Sequence, residues 1–196
     1  LPYMIPTIDT AAILAGGQNL RFNRNMKPLA TFKDKTILEH QLGVLQIIFR
    51  EILLITNTPE AFGQYTSCRK FKDLIPGAGP LSGIHTALKK SGKKNVFIVA
   101  GDMPFINGPT IRDQIKTWEQ NKDKAVVPMI AGHPEPLHTI YPFAGIDKLE
   151  EILHAEGNQS VKEYLDAIPV YYWDVQDKRP FININTPEEL KRYEKG

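Results

Sequence analysis

The chain has 196 residues, is 42% hydrophobic and 23% charged, and carries a formal net charge of +2. Those values suit one soluble globular α/β domain, and so small a net charge does not imply nucleic acid or a membrane surface as a general partner, so neither is expected. Cys68 is the only cysteine, which excludes an intrachain disulfide and a thiolate metal cage. No run is apolar for long enough to span a bilayer and the start lacks a secretory layout, so a cytoplasmic protein is expected. Residues 1–9 are read as an N-terminal extension, in part foreign residues ahead of Met4, and 10–196 as one domain.

Ala11-Ala12-Ile13-Leu14 reads as a buried strand that breaks into Ala15-Gly16-Gly17. A loop without side chains can lay its N–H groups against an anion. Arg21, a planar fork, and Lys27, a mobile point charge, follow a short reach further on, completing a candidate triphosphate cradle. A tight turn alone also explains the two glycines. The spacing is not Gly-x-x-x-x-Gly-Lys-[Ser/Thr], which argues against an ordinary ATPase loop.

Thr36-Ile37-Leu38-Glu39 has capping-box spacing and opens a helix with Leu38, Leu42, Leu45 and Phe49 on its apolar face. Ile52–Thr56 reads as a second buried strand, followed by Asn57, and a short strand is expected around Phe71 to Ile75, which includes Asp73. Pro76-Gly77-Ala78-Gly79-Pro80-Leu81-Ser82-Gly83 then leads into a helix from Ser82 to Lys90. Asn95–Ala100 is the clearest strand and stops at Gly101-Asp102-Met103-Pro104. Pro109 suits the first turn of a helix burying Ile111, Ile115 and Trp118.

Ala125–Met129 and Thr139–Tyr141 read as strands flanking a loop from Ala131 to His138. Helices at Ile146–His154 and Val161–Ala167, a strand at Val170–Val175, a strand at Phe181–Asn185 and a final helix capped by Thr186 complete the chain. Apolar strands alternating with amphipathic helices predict a single three-layer α/β/α domain with a mostly parallel, Rossmann-like sheet. Ligands of such sheets sit outside the carboxyl ends of the strands.

Asp102, at such an end, suits a hard-oxygen ligand for Mg²⁺, or else a helix or turn cap. Gly77-x-Gly79 is not a dinucleotide fingerprint, because Gly83 falls one place late and Pro80 lacks an N–H. That loop instead allows backbone groups to approach a flat base. Asn183 and Asn185, two apart on the expected strand, would share one face. Neutral amides suit sugar hydroxyls or a metal; one of them can equally serve to cap the last helix. His133 and His138 flank Glu135 in a Pro-stiffened loop that lacks the helical His-x-x-x-His frame of a zinc site.

Taken in order, these segments resemble the molybdenum cofactor guanylyltransferase family of nucleotidyltransferases. The matching pieces are Leu14-Ala15-Gly16-Gly17 with Arg21-Phe22 and Lys27, Gly79-Pro80-Leu81-Ser82-Gly83, Gly101-Asp102-Met103-Pro104, Pro134-Glu135-Pro136-Leu137-His138 and the run from Phe181 to Leu190. The family usually has Gly after Arg-Phe and often Asp before Lys; here Asn23 and Met26 stand there.

The resemblance implies transfer of GMP from Mg²⁺·GTP to the terminal phosphate of molybdenum-molybdopterin, with release of pyrophosphate and exchange with cofactor-delivery proteins. It implies nucleotide binding by Leu14 to Gly17, Lys27, Asn57, Asp73, Gly79 to Leu81 and Asp102. Lys27, Arg21 and Asp102 would be catalytic, Asp102 the Mg²⁺ ligand, and His138, Asn183 and Asn185 would face the acceptor or complete the metal shell. Cytidylyl transfer or sugar-nucleotide synthesis is the neighbouring alternative, and a non-catalytic nucleotide-binding regulator a more distant one.

Overall fold

The computed structural model describes residues 8–16, 21–22, 25–157 and 159–194. Strand β1 (Thr10–Leu14) is followed by two short antiparallel ribbons, β2 (Arg21–Phe22) with β3 (Asn25–Met26) and β4 (Thr31–Phe32) with β5 (Lys35–Thr36). Next come α1 (Ile37–Ile48), β6 (Glu51–Ile55), β7 (Arg69–Phe71), α2 (Pro80–Ser91) and β8 (Asn95–Ala100). The second half holds α3 (Gly108–Gln120), β9 (Ala125–Ile130), β10 (His133–Pro134), β11 (His138–Pro142), α4 (Ile146–His154), α5 (Val161–Ala167), β12 (Val170–Val175) and α6 (Pro187–Glu194).

Helix starts follow from local chemistry. The Thr36 hydroxyl accepts from Glu39 N–H at 3.1 Å while the Glu39 carboxylate accepts from Thr36 N–H at 2.6 Å, a reciprocal capping box. Asn107 accepts from Thr110 N–H at 2.9 Å and Pro109 occupies the first turn of α3, where its missing N–H costs nothing.

Among the described residues the main sheet runs β7-β6-β1-β8-β11-β9, with β12 on the outer edge of β9 and β10 paired to the end of β9. Pairings of β1 with β6 and β8, β6 with β7, and β9 with β12 are parallel. β11 is inserted antiparallel between β8 and β9, which makes the sheet mixed but mostly parallel. Its side chains sort by the two-residue period of a strand. Ala11, Ile13, Phe97 and Val99 face α1 and α3, whereas Ala12, Leu14, Val96 and Ile98 face α2, α4 and α5. Two apolar layers result, one on each side of the sheet, and each fully buried aliphatic side chain contributes about 1.5–3 kcal/mol. A satellite cluster of Phe32, Ile37, Ile184 and Leu190 fixes α6 against the body.

Three elements differ from the sequence-based expectation. The strand expected over Phe71 to Ile75 ends at Phe71 and begins at Arg69, so Asp73 lies just beyond its carboxyl end. As an edge strand it tolerates the charged Arg69 and Lys70 that hide it from an apolar-run criterion. Phe181 to Asn185 is not a strand: Arg179–Phe181 is a single 3₁₀ turn with Pro180 in it, and the residues after it pair with no strand among the described residues. The loop from Ala131 to His138 contains β10, folded back on β9 through Ala131 (φ 51°) and Gly132 (φ 80°).

Candidate active site at the carboxyl ends of β1, β6 and β8

Leu14 stands in register with Ile55 on one side and Ala100 on the other, so Ala15-Gly16, Thr56-Asn57 and Gly101-Asp102 leave the sheet at one level. Backbone pairing continues one step beyond the strands, with Ala15 N–H donating to Ile55 O at 2.8 Å and Gly101 N–H to Leu14 O at 2.9 Å. A side chain at position 101 would begin 2.9 Å from Pro28 Cγ and 3.0 Å from Leu14 O. Only glycine there lets the 3₁₀ turn Lys27–Leu29 lie against the Asp102 loop, and that contact delivers the lysine.

Lys27 Nζ lies 3.5 Å from Asp102 Oδ2 and 3.3 Å from Asn185 Oδ1. Both charged residues are buried, Lys27 to 4% and Asp102 to 7% exposure. Burial pushes the Asp102 carboxyl above its ordinary range, and the Lys27 ammonium opposes that shift by charge and by hydrogen bonding. Asp102 Oδ1 is buried with no hydrogen-bond partner among the described residues. An unspent, buried anionic oxygen is a suitable donor for a hard divalent cation. Among the described residues no group of three or more acidic, histidine or cysteine side chains is placed to hold a metal. A cation at Asp102 would therefore take its remaining ligands from water and phosphate oxygens, the habit of Mg²⁺.

Residues the sequence did not single out frame this pair. Gln41 is fully buried and donates through Nε2 to Ala100 O at 2.7 Å and Met103 O at 3.0 Å, clamping both sides of Asp102. A polar residue between Leu38 and Leu42 on an apolar stripe was its signal. Glu135, named only inside a motif, accepts from Leu137 N–H at 3.0 Å and bonds the Asn183 side chain. Burial raises its pKa, and the nearby negative charge of Asp102 raises it further. The main chain ties these parts together where Ile184 N–H donates to Asp102 O at 2.9 Å.

Asn57 and Asp73 form a two-way clamp beyond β6 and β7. Asn57 Nδ2 donates to Asp73 Oδ2 at 2.8 Å, and Asp73 N–H donates to Asn57 Oδ1 at 3.1 Å. Burial lifts the Asp73 carboxyl, while its bond from Asn57 holds it down. Gly79 has φ +56°, a left-handed conformation suited to glycine, and it precedes Pro80 at the start of α2. Gly83 then meets Leu14 so closely that an added Cβ would lie 3.0 Å from its side chain. The first turn of α2 thus stands against the end of β1. Leu14 and Leu81 bury their side chains in the core, with Leu14 O accepting from Gly101 N–H and Leu81 N–H donating to Ala78 O.

The other expected residues divide. Gly17 and the side chain of Arg21 lie outside the described residues. Asn183 and Asn185 take different partners, Glu135 and Lys27, instead of presenting one strand face. His138 lies in the core beneath the site, with no exposure and its ring packed edgewise on Phe97 and Phe181. Gln114 Nε2 donates to Val126 O and His138 O, so Gln114 Oε1 must accept from His138 Nδ1–H at 2.9 Å. Burial holds this imidazole down at about 4. It supports Phe181 from below, which corrects the expectation that its ring faces an acceptor. His133 is exposed at the hairpin. No helix among the described residues is long and apolar enough to cross a membrane.

The family model of the MobA-like NTP transferase domain matches residues 11–168. A probable molybdenum cofactor guanylyltransferase of Clostridium perfringens is 31% identical over 186 residues, covering 94% of this chain and 89% of that protein. A solved structure of molybdopterin-guanine dinucleotide biosynthesis protein A from Archaeoglobus fulgidus superposes with a TM-score of 0.81 at 26% identity, covering 95% of this chain and 97% of that one. The fold is shared by a Mycobacterium tuberculosis protein solved in complex with manganese, at a TM-score of 0.70 and 19% identity, covering 98% of this chain and 100% of that one.

Proposed function

Since the chain belongs to the family of MobA-like NTP transferase domains and is a nucleotidyltransferase, we propose that it transfers GMP from Mg²⁺·GTP to the terminal phosphate of molybdenum-molybdopterin, releasing pyrophosphate. The observation that carries this reading is the buried Asp102, with one oxygen unspent and the other facing Lys27, at the meeting of three parallel strand ends. The names of the relatives supply the guanylyl donor and the pterin acceptor.

The reaction asks for alignment and charge neutralisation more than for covalent help. The loop in which Leu14, Ala15, Gly16 and Gly17 leave β1, with Arg21 and Lys27, binds the triphosphate and offsets the charge that grows on the leaving pyrophosphate. Asn57, Asp73 and the backbone from Gly79 to Leu81 take the base and ribose. Asp102 would hold the divalent cation, which would supply Lewis-acid polarisation of the phosphate groups. Asn183 and Asn185 face the acceptor side, and His138 steadies them through Phe181. Exchange with cofactor-delivery proteins and a cytoplasmic location accompany this reading.

Two measurements test it. A saturating nucleotide stabilises the folded state by about 2.7 kcal/mol at one hundred times Kd, so with Mg²⁺ GTP raises the melting temperature and CTP, UTP and ATP do not. A preference for CTP or UTP would transfer the assignment to cytidylyl or sugar-nucleotide chemistry. Asp102→Ala abolishes pyrophosphate release while the protein stays folded; near-normal turnover of that variant with Mg²⁺ removes Asp102 from the mechanism.

A further inference from the structure

Between Asp73, which clamps Asn57, and the start of α2 at Pro80 the chain runs without helix or strand. It contains two glycines of positive φ, Gly77 (φ 101°) and Gly79 (φ 56°), and glycine widens the choice of conformations open to a loop. Leu74 is 45% exposed, and Ile75 and Ala78 are only half-buried against the apolar layer beside α2, so burial alone does not fix the segment.

Two hydroxyls on α2 fix it instead. Thr86 Oγ1 accepts from Leu74 N–H at 2.9 Å, and Ser82 Oγ accepts from Ala78 N–H at 3.1 Å. Both side chains are fully buried. The Thr86 hydroxyl donates its own proton to Ser82 O at 2.9 Å, one helical turn back, which leaves its lone pairs for Leu74. With Asn57 Oδ1 accepting from Asp73 N–H at 3.1 Å, side chains hold three amides of one short loop. The helix that carries the two hydroxyls is itself anchored. Gly83 packs closely on Leu14, and the His85 ring bonds the Glu150 carboxylate of α4 at 3.0 Å.

We propose that Ser82 and Thr86 are positioning residues for the nucleotide donor: their hydroxyls set the loop from Asp73 to Ala78 in its binding conformation before the donor arrives. Asp73 and the backbone from Gly79 to Leu81 then meet the base and ribose already in place. Both hydroxyls act inside the protein and neither reaches the nucleotide. The inference rests on the base-and-ribose role proposed above for Asn57, Asp73 and this loop, and adds what keeps that pocket in shape. A pocket correctly formed in only one molecule in ten binds about tenfold more weakly. The step that follows, once the pocket is filled, is unaffected.

Thr86→Val keeps the shape of the side chain and removes its hydroxyl, and Ser82→Ala removes the second tie. The full chain is titrated calorimetrically with Mg²⁺·GTP, and amide exchange is followed by NMR without nucleotide. Each variant binds GTP about tenfold more weakly and raises KM for GTP to match, while pyrophosphate release at saturating GTP stays within about twofold of wild type. Exchange accelerates at least about tenfold at Leu74 in Thr86→Val and at Ala78 in Ser82→Ala, with the amides of β8 unchanged. Thr86→Ser restores both affinity and protection. Unchanged GTP affinity in both variants, or a loss accompanied by faster exchange throughout β8, overturns the positioning role. A wild-type protein that prefers CTP or UTP defeats the guanylyl reading instead, and the same measurements with that nucleotide decide the two hydroxyls. A wild-type protein that binds no nucleotide overturns both.

Discussion

Lys27 Nζ and Asp102 Oδ2 stand 3.5 Å apart with both side chains withdrawn from solvent. Removing one member of a buried pair is more damaging than never having had it, because the remaining charge keeps its desolvation cost. Lys27→Met therefore lowers stability by about 3 kcal/mol near pH 8. Asp102 is already raised by burial and then lacks its opposing charge, so its carboxyl rises further. The destabilisation shrinks as the pH falls toward the carboxyl's folded pKa. Nucleotide transfer falls on the order of 100-fold at every pH. Pairing Lys27→Met with Asp102→Asn restores stability but not activity, and additive losses in denaturant melts of the four proteins would show that the two groups do not interact.

Glu135 bears on the same carboxylate from the other side. Glu135→Gln keeps an oxygen for Leu137 N–H but removes a buried carboxylate close enough to Asp102 for the Asp102 charge to raise its pKa. With one carboxylate fewer, divalent cations bind about tenfold more weakly, or about 1.4 kcal/mol. Titrating Mg²⁺ into the protein with saturating GTP and following the melting temperature measures this. A midpoint unchanged from wild type separates Glu135 from the cation.

Gln41 is predicted to act through the backbone. Gln41→Leu preserves bulk on α1 but leaves Ala100 O and Met103 O without their donor in the core. Two stranded carbonyls cost about 2–4 kcal/mol, read as a lower urea midpoint. The loosened Asp102 loop also raises the Mg²⁺ midpoint. A variant as stable as wild type would mean that other donors reach those carbonyls.

His138 carries a pH signature. Its imidazole titrates near 6.5 when exposed and is held at about 4 in the folded protein. Between those values the unfolded chain binds the extra proton, so the contribution is whole above pH 6.5 and is withdrawn as the pH falls to about 4. At 1.36 kcal/mol per unit it amounts to about 3 kcal/mol. His138→Gln flattens this part of the stability-pH curve in urea melts. An unchanged slope would place the acid sensitivity elsewhere.

Much of this architecture could be read from local chemistry. The capping box at Thr36 and Glu39, the apolar run from Asn95 to Ala100, and the loops ending in Gly16 and Asp102 each carry their signal within a few residues. Illegible parts depend on partners distant in sequence. Alternating Ile182 and Ile184 imitate a strand, yet Pro180 precedes them and the available backbone partner is Asp102 O, not a neighbouring strand. Edge strand β7 is charged because solvent covers one side of it. The antiparallel insertion of β11 reflects competition among strands that no single segment encodes. His138 and Gln41 show the same division at the site: residue type gave their polarity, and only tertiary packing decided that both work from beneath.

Contacts at the Lys27 ammonium with Asp102 and Asn185 join residues 75 and 158 positions apart in sequence. Long loops close late and slowly in folding, so this meeting point forms only when β1, β8 and the segment before α6 have all docked. Partly folded chains accordingly have no site to fill. Ligand occupancy of this centre is a report on completed folding, and a saturating nucleotide protects the finished molecule without rescuing its intermediates.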